Sequence, residues 1–403
     1  MDFLNSVVGT INDFLWTYII IVVLVGCGLW FTISTGLVQL RMLPEMVRLL
    51  AGDLGRRPSG RKAISSFQAF CVSTASRVGV GNIAGVAIAI VTGGPGAVFW
   101  MWVIAFIGTA TGFVESTLAQ IYKIPRGHGL FHGGPAYYIQ NALGQPAVAK
   151  LFAVLISVTF GLIYVSVQAN TIALSMEKAF AIDTWVVGGV LAVLAGAVIF
   201  GGMHRIAVFT SVLVPVMAGI YLLIALTIVV LHIDAVPAMF ALILHDAFNP
   251  QAAVGGGIGT VILTGIRRGL FSNEAGEGSI PNAAATANVT HPVKQGLVQA
   301  FGVYVDTWIV CSATAFIVLL TGQYTIGGDI TGIALAQDSL ASVFGTWASS
   351  LLALLIFLFA FSSVVGNYYY GEINIHFITK NTQPALFVYR LAVVAMVFFG
   401  CVA

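Results

Sequence analysis

SRVGVGNIAGVAIAIVTGGPGA, residues 76–97, interrupts a long apolar segment with an arginine, an asparagine and six glycines. The chain around it has 403 residues, of which 59% are hydrophobic and only 8% are charged. A soluble domain carries roughly 25% charged residues, and so few charges cannot cover the surface of a soluble fold of this size. The composition therefore predicts an all-α polytopic membrane protein.

Apolar runs with their flanks reach about 20 residues, the length at which a helix crosses a bilayer, at many places along the chain. They predict ten spans, numbered 1 to 10 in chain order: 15–38, 65–92, 96–122, 148–173, 185–203, 207–231, 253–286, 297–320, 346–370 and 386–403. Span 1 is followed by a charged loop rather than by a small-residue cleavage site. We therefore interpret it as a retained helix and not as a signal peptide.

Basic residues in the loops predict the orientation of the chain. Thirteen lysines and arginines fall on one side of the membrane, and only Lys178 falls on the other. The thirteen are Arg41, Arg48, Arg56, Arg57, Arg61, Lys62, Lys123, Arg126, Lys150, Arg205, Lys294, Lys380 and Arg390. This bias predicts an N-terminus outside the cell and a basic cytoplasmic face.

Cysteine and histidine positions do not indicate a metal site or a disulfide. His128 and His132 share one glycine-rich loop, which is too little to define a metal site. The four cysteines lie in or beside apolar spans without paired spacing, which is typical of buried small hydrophobic residues. They are Cys27, Cys71, Cys311 and Cys401.

An internal repeat becomes visible when the sequence is compared with itself at an offset of 191 residues. Arg77 then meets Arg268, and the segment 82–85 (NIAG) meets 273–276 (NEAG). About thirty residues later, Val114-Glu115-Ser116 meets Val305-Asp306-Thr307. Three matches at one offset indicate a duplication.

The two copies have opposite orientation, because span 2 runs from inside to outside and span 7 from outside to inside. We therefore predict an N-terminal helix and basic loop (1–64), a first inverted repeat of five helices (65–232) and a second repeat (253–403). The second repeat contains only four of its five helices. We expect an eleventh span to be missing from this chain.

Glycines predict a break in span 2 and a break in span 7. Unwound backbone at membrane depth is tolerated only where it lines a polar cavity, and paired breaks in inverted halves are typical of a transporter's central site. The alternative is close helix packing through small residues. Nearby polar residues favour a site: Asn82, Ser272, Asn273 and Glu274. The glycines are Gly79 and Gly81 in span 2, and Gly265, Gly269, Gly276 and Gly278 in span 7.

Four stretches of the chain, GVGNIAGVAIAIVTGGPGAVFWMW, RRGLFSNEAGEGS, VQAN and LFAFSSVVGNYYYGE, resemble the alanine/glycine:cation symporter family. The resemblance covers essentially the whole chain. It implies a sodium-coupled carrier of small neutral amino acids, of a family found in bacteria and archaea, and we expect it in the bacterial inner membrane. It also implies a LeuT-like core of two inverted five-helix repeats preceded by one extra helix.

The resemblance implies a substrate site between the two breaks, with contributions from spans 4 and 9. Its residues would be Gly79, Val80, Gly81, Asn82, Gln168, Phe271, Ser272, Asn273 and Asn367. It implies a sodium site between spans 2 and 9, where oxygen ligands without a carboxylate favour sodium over a proton. Those ligands would be the carbonyls near Ala75 and Val78 and the hydroxyls of Ser362 and Ser363.

Two residues depart from the pattern of the family's alanine carriers, which often have threonine in place of Val80 and tryptophan in place of Asn367. An indole would close the pocket around a methyl side chain, whereas asparagine leaves room and adds amide hydrogen-bonding groups. We therefore hypothesise a pocket that accepts glutamine as well as alanine and glycine.

Charges inside the spans cost at least about 2.5–3.5 kcal/mol each when unpaired, so they need partners. We hypothesise a set that crosses the two repeats, with the arginines neutralised by the acids, and we favour a structural or gating role over substrate contact. Arg77, two residues before Gly79, is close enough to favour a substrate carboxylate. The set is Arg77, Glu115, Arg268, Glu274 and Asp306.

Two other classes of protein fit the sequence less well. An intramembrane protease needs a catalytic pair that is not visible here, and no H-E-x-x-H motif is present. A channel also uses broken helices, but two inverted breaks with a central amide cluster fit a carrier better.

We expect alternating access, in which spans 2, 3, 7 and 8 move against the others. The expected partners are a small neutral amino acid, sodium as coupling ion and lipid, without enzymatic cofactor or nucleic acid. A monomer is compatible with the sequence.

Overall fold

The computed structural model describes residues 2–53, 63–249, 258–380 and 383–403. Four of the loop cations used for the orientation lie outside the described residues, as does the start of span 7 at 253–257. Those cations are Arg56, Arg57, Arg61 and Lys62.

Helices occupy all ten predicted segments in the described part of the chain. The first six spans are Asp2–Phe14 with Leu15–Ile20 and Ile21–Ser34; Ser66–Arg77 with Gly81–Gly85 and Val86–Gly93; Gly96–Ile121; Pro146–Val158 with Thr159–Tyr164 and Val165–Phe180; Thr184–Ile199; and Gly202–Leu231. The segments Leu15–Ile20, Gly81–Gly85 and Thr159–Tyr164 are π-helical turns. Shorter elements join these spans: helices Val38–Arg41, Leu43–Asp53 and Pro135–Asn141, and the antiparallel strands Ile124–Pro125 and Phe131–His132.

The last four spans begin, like spans 2 to 6, with a broken helix, which here is span 7. They are Ile258–Asn273 with Ile280–Thr286; Pro292–Val303 with the π-helical turn Tyr304–Cys311 and Ser312–Thr321; Trp347–Thr379; and Gln383–Val402. The connecting helices are Ile233–Ala235, Val236–Ala247 and Gly332–Phe344. Span 9 is deeply enclosed in its second half, since every residue from Phe359 to Asn374 is buried.

Seven of these helices are long and apolar enough to cross a membrane, and the bent pair Ser66–Arg77 and Gly81–Gly93 makes an eighth. Large apolar side chains on the outer spans are exposed, as at Trp30 (68%) and Val193 (72%). Apolar side chains on the outer surface are expected where lipid is the solvent. The chain is a multi-pass membrane protein, as its composition predicts.

Span 1 begins at Asp2, well before the predicted residue 15. In the first turns, polar and apolar residues recur at helical spacing, so this segment forms an amphipathic helix. A search for continuous apolar runs does not detect such a helix. Span 9 likewise continues to Thr379, past the predicted end at 370. Its last turns carry polar side chains that are buried, including Asn374.

A backbone link at the basic face holds the broken spans together. Ile64, just before span 2, forms a parallel bridge with Ala287, just after span 7, and the Asn288 N–H donates to the Ile64 carbonyl at 2.9 Å. The Ala287 carbonyl also accepts from Lys123 Nζ at 2.7 Å and Gln120 Nε2 at 3.0 Å. The basic-face ends of spans 2, 3 and 7 are therefore fastened to one another.

Candidate functional site

The first break lies between Arg77 and Gly81, where span 2 bends by 54°. The Gly79 N–H donates to Asn82 Oδ1 at 2.9 Å, and the Val80 N–H donates to Gln168 Oε1 at 3.3 Å. In an unbroken helix these N–H groups would bond the carbonyls four residues earlier, at Ala75 and Ser76. The break therefore leaves those two carbonyls free to accept other donors or a cation.

The second break lies between Asn273 and Ile280. Gly276 and Gly278 have φ values of 93° and 75°, which glycine adopts without steric cost. Glu274 has φ 55°, an uncommon value for a residue with a side chain. Its carboxylate is held by Ser76 Oγ at 2.9 Å and Ser279 Oγ at 2.5 Å, which stabilises the unusual backbone conformation.

The prediction that Gly265 and Gly269 unwind span 7 is wrong, because both lie inside the regular helix Ile258–Asn273. They are packing positions. A Cβ on Gly265 would lie 2.5 Å from the Ala97 carbonyl oxygen, and one on Gly269 would lie 2.4 Å from a side-chain carbon of Ile104. Small residues let span 7 approach span 3 at this distance.

Asn82 connects the two halves. Its Nδ2 donates to Asp306 Oδ1 at 2.7 Å and lies 3.1 Å from Ser272 Oγ, while its Oδ1 accepts the Gly79 N–H. Ser272 Oγ donates to Asp306 Oδ2 at 2.8 Å. The side chains of Asn82, Ser272 and Asp306 are buried. The amide of span 2, the hydroxyl of span 7 and the carboxylate of span 8 thus form one network next to both breaks.

A second network joins the breaks to span 9. Ser76 Oγ lies 2.6 Å from Asn367 Oδ1 and 2.9 Å from Glu274 Oε1. Beside it, Gly366 packs so closely on span 2 that an added Cβ would lie 2.6 Å from the Ser76 backbone nitrogen. Asn367 is buried and contacts the first break through Ser76, so it lies beside the predicted substrate site.

Ser362 and Ser363 lie on the face of span 9 that packs against the first break. Ser362 Oγ is 3.3 Å from the Ala75 carbonyl oxygen and 2.7 Å from the Phe359 carbonyl oxygen. A Cβ on Gly79 would lie only 2.3 Å from Ser363 Oγ. Hydroxyl and carbonyl oxygens therefore come together at the carbonyl end of the broken helix, and hard oxygen donors of this kind suit a small cation such as sodium.

Phe271 covers the break from the other side. A Cβ on Gly81 would lie 3.4 Å from its ring, which also contacts the Tyr164 ring at 5.8 Å between centroids. A cavity of about 260 Å³ lies beyond the ring; its lining is Asn12, Trp16, Arg267, Arg268 and Phe271. Phe271 therefore separates this cavity from the first break.

Within the described residues, the five charges of the predicted set form no ion pairs with one another. Among the described residues, no carboxylate lies within 4 Å of the guanidinium of Arg77 or Arg268. Arg77 Nη2 donates to Ser73 Oγ at 2.8 Å and Gln299 Oε1 at 3.3 Å, and Glu115 Oε2 accepts the Gly276 N–H at 3.2 Å. The arginines and acids are thus not in direct contact, and their mutual neutralisation stays a prediction. Hydroxyl, amide and backbone N–H donors satisfy the carboxylates instead.

Sequence reasoning misses several residues of the site. Ser76 contacts both Asn367 and Glu274, and its position next to the break is the only signal that the sequence offers. Thr314, whose hydroxyl donates to the Asn82 carbonyl at 2.7 Å, and Gln299, which accepts from Arg77, lie far away in sequence. Their roles depend on the packing of span 8 against span 2.

Two inverted halves, each with a helix broken at the centre of the bundle, define the class of LeuT-fold membrane carriers. The comparison with solved structures agrees. MhsT in complex with L-phenylalanine matches with a TM-score of 0.60 at 14% identity, over 85% of this chain and 80% of that one. A mutant of the manganese transporter of Eremococcus coleocola matches with a TM-score of 0.57 at 12% identity, over 85% and 72%. At such low identity these matches show the fold alone.

The chain belongs to the sodium:alanine symporter family, whose model matches residues 1–403. It is 53% identical to the amino-acid carrier protein AlsT of Bacillus subtilis (strain 168), over 99% of this chain and 84% of that one. It is 51% identical to the probable sodium/glutamine symporter GlnT of the same organism, over 99% and 83%. It is 38% identical to the sodium/alanine symporter AgcS of Methanococcus maripaludis, over 100% and 89%. The family resemblance of the sequence motifs and the LeuT-like fold are both confirmed.

Proposed function

We propose that this protein couples inward sodium flow to the uptake of a small neutral amino acid by alternating access, in the inner membrane of a bacterium and with its N-terminus outside. The observation that carries the proposal is the meeting of both breaks at Asn82, which leaves backbone N–H and carbonyl groups beside buried polar side chains. Membership of a sodium:alanine symporter family supports it. Because the residues of the site all come from one chain, we propose the monomer as the transporting unit.

Uptake into proteoliposomes tests the proposal. Labelled alanine, glycine or glutamine should accumulate when sodium is high outside, and the accumulation should disappear when choline replaces sodium. Transport should saturate and should not be accompanied by an open-pore conductance, which separates a carrier from a channel. Accumulation that is unchanged in choline would overturn the assignment of sodium as coupling ion.

The substrate would bind between the breaks. The N–H groups of residues 79–81 are proposed to hold the carboxylate, with those of Gly79 and Val80 exchanging their present acceptors for it, since helix ends bind anions without a charged side chain. Gln168 already accepts the Val80 N–H at 3.3 Å, so its carboxamide is within reach of the substrate's polar groups. Phe271 would close the site, and Asn367 would face the side chain. Ser272 and Asn273, which end the first half of span 7, would complete it.

Sodium would bind between spans 2 and 9, held by the carbonyls near Ala75 and Val78 and the hydroxyls of Ser362 and Ser363. The Ala75 carbonyl has no helical N–H partner at the break and accepts from Ser362 Oγ at 3.3 Å, which supports this position. Sodium and substrate would each favour the same closed state, so each should raise the other's affinity by the same factor. The charges inside the spans are proposed to lock or gate the helices; they are Arg77, Glu115, Arg268, Glu274 and Asp306.

Replacing Ser362 by alanine should raise the sodium concentration for half-maximal uptake about tenfold, because one oxygen ligand is lost. The measurement is the sodium dependence of alanine uptake in proteoliposomes. Ser342→Ala is the matched control: Ser342 Oγ donates to the Ser339 carbonyl at 2.8 Å, as Ser362 does to Phe359, but it lies outside the site. An unchanged sodium dependence in Ser362→Ala would show that this hydroxyl only makes hydrogen bonds between helices.

Replacing Asn367 by tryptophan should restrict the substrate range. We expect glutamine uptake to fall about tenfold or more relative to alanine uptake, because the indole fills the space that a longer side chain needs. The name of the relative GlnT, at 51% identity, agrees with a pocket that accepts glutamine. Competition between labelled alanine and unlabelled glutamine measures the ratio, and Asn367→Ala, which leaves the space open, is the control. Exclusion of glutamine by the unaltered protein would remove the idea.

A further inference from the structure

A cavity of about 480 Å³ lies at the basic face, away from the central site, between the loop that follows span 3 and the ends of spans 6, 9 and 10. Spans 6, 9 and 10 contribute residues at the beginning or end of their helices. On the proposed topology, this cavity opens at the level of the cytoplasmic lipid headgroups. Its charged and titratable lining is Arg126, His132, His204, Arg205, Glu372, His376 and Arg390.

Positive charge exceeds negative charge in this cavity, which contains three guanidinium groups and one carboxylate. Glu372 Oε1 accepts from Arg390 Nη2 at 3.0 Å and lies 3.6 Å from His376 Nε2, so the charge of this carboxylate is paired, while Oε2 has no hydrogen-bond partner. Among the described residues, no carboxylate lies within 4 Å of the guanidinium of Arg126 or Arg205. The cavity therefore holds two guanidinium groups without a counter-charge.

Several polar atoms that line the cavity are buried without a hydrogen-bond partner. His132 and His376 are only 4% and 8% exposed, their rings lie 4.8 Å apart, and the Nδ1 atom of each has no partner. The Nε atom of Arg126 is also buried without a partner. Buried polar groups are nearly always satisfied by protein, water or a ligand. These atoms, together with the charge excess, point to a bound anion.

The pKa of His132 agrees with the excess of positive charge in the cavity. Burial, the neighbouring His376 ring and the Arg126 guanidinium hold the pKa of His132 well below its usual range. An anion in the cavity would offset the effect of Arg126 and favour the imidazolium form, which offers a further donor.

We propose that this cavity binds a phosphate-type anion, carried either by the headgroup of an anionic lipid or by a soluble phosphate. Guanidinium groups bind phosphate oxygens in pairs, with a fixed geometry that chloride cannot exploit. Basic pockets between helix ends on the cytoplasmic side suit anionic headgroups. The anion would connect Arg126 and His132, which follow span 3, with Arg205 at the start of span 6. This proposal does not depend on which amino acid is transported.

Thermal unfolding of the purified protein in detergent tests the proposal without measuring transport. Sodium phosphate should raise the Tm logarithmically once its concentration exceeds the Kd, by about 2 °C for each tenfold excess, relative to sodium chloride at equal ionic strength. The double variant Arg126→Gln/Arg205→Gln should lose this shift. Arg48→Gln should keep it, because Arg48 lies on the same basic face but outside the cavity and pairs with Glu45.

A second arm identifies the source of the phosphate. Mixed micelles with phosphatidylglycerol or cardiolipin are compared with phosphatidylcholine micelles, with no free phosphate present. A Tm increase with anionic lipid alone would assign a lipid headgroup, and an increase with free phosphate would assign a soluble ligand. If the double variant does not fold, each single variant should weaken binding about tenfold. Equal shifts in the unaltered protein and in the folded variants, or no shift with any phosphate source, would overturn the proposal.

Discussion

Replacing Gly366 by alanine should reduce sodium-driven amino-acid uptake about 100-fold. The new Cβ would lie 2.6 Å from the Ser76 nitrogen and 2.9 Å from the Ser76 Cα. Both are backbone atoms, so no side-chain rotation relieves the collision, and span 9 must move away from span 2. That movement separates Asn367 from Ser76 and Ser362 from the Ala75 carbonyl, and a misplacement of about 1 Å at such a site can cost about 100-fold in rate.

Gly85→Ala is the matched control for this prediction. Gly85 lies on the same broken helix as Ser76, but no atom is within 4 Å of an added Cβ, so uptake should remain near that of the unaltered protein. Initial uptake rates in proteoliposomes are compared at equal protein content, after size-exclusion chromatography has shown that both variants are folded. Normal uptake by folded Gly366→Ala would mean that transport does not need this contact between spans 2 and 9.

Replacing Asn82 by alanine is expected to have an effect of similar size. Asp306 would lose the amide donor at 2.7 Å, and the Gly79 N–H would lose its acceptor at 2.9 Å. A hydrogen bond to a buried charge contributes about 1.5–3 kcal/mol, and leaving the partner unsatisfied costs as much again, so uptake should fall about 100-fold or more. The loss should affect every amino acid alike, because Asn82 holds the two breaks together.

Asn141→Ala serves as the control for Asn82→Ala, since Asn141 is exposed at the end of the helix Pro135–Asn141. The same uptake assay applies, with thermal unfolding as the check on folding. Retained uptake in Asn82→Ala would show that the connection between Asn82, Ser272 and Asp306 is dispensable. The site would then have to be sought around Ser76 and span 9 alone.

Much of the fold follows from the sequence because apolar length and glycine spacing carry physical information directly. The first break is predictable from Gly79 and Gly81 because they lie beside the polar residues of span 2. In span 7 the sequence does not separate Gly265 and Gly269, which let span 3 approach, from Gly276 and Gly278, which adopt positive φ. Close helix packing and a positive φ both favour a residue without a Cβ, and only the atoms around each glycine in the structure distinguish the two roles.

The pairing of the buried charges is not predictable for a related reason. A carboxylate in a span needs donors, but the sequence does not say whether these are guanidinium groups or hydroxyls. For Glu274 the donors are Ser76 and Ser279, one of which comes from the other half of the chain. The 191-residue repeat identifies which residues correspond. It does not identify which of them touch.

The bridge between Ile64 and Ala287 has a consequence for how the carrier moves. It ties the entry of one interrupted helix to the exit of the other, and Lys123 and Gln120 secure the same carbonyl. Neither half-helix can swing outward alone without breaking these bonds. Inward opening should therefore displace spans 2 and 7 together. The amino acid would be released when the two helices tilt as one rigid body.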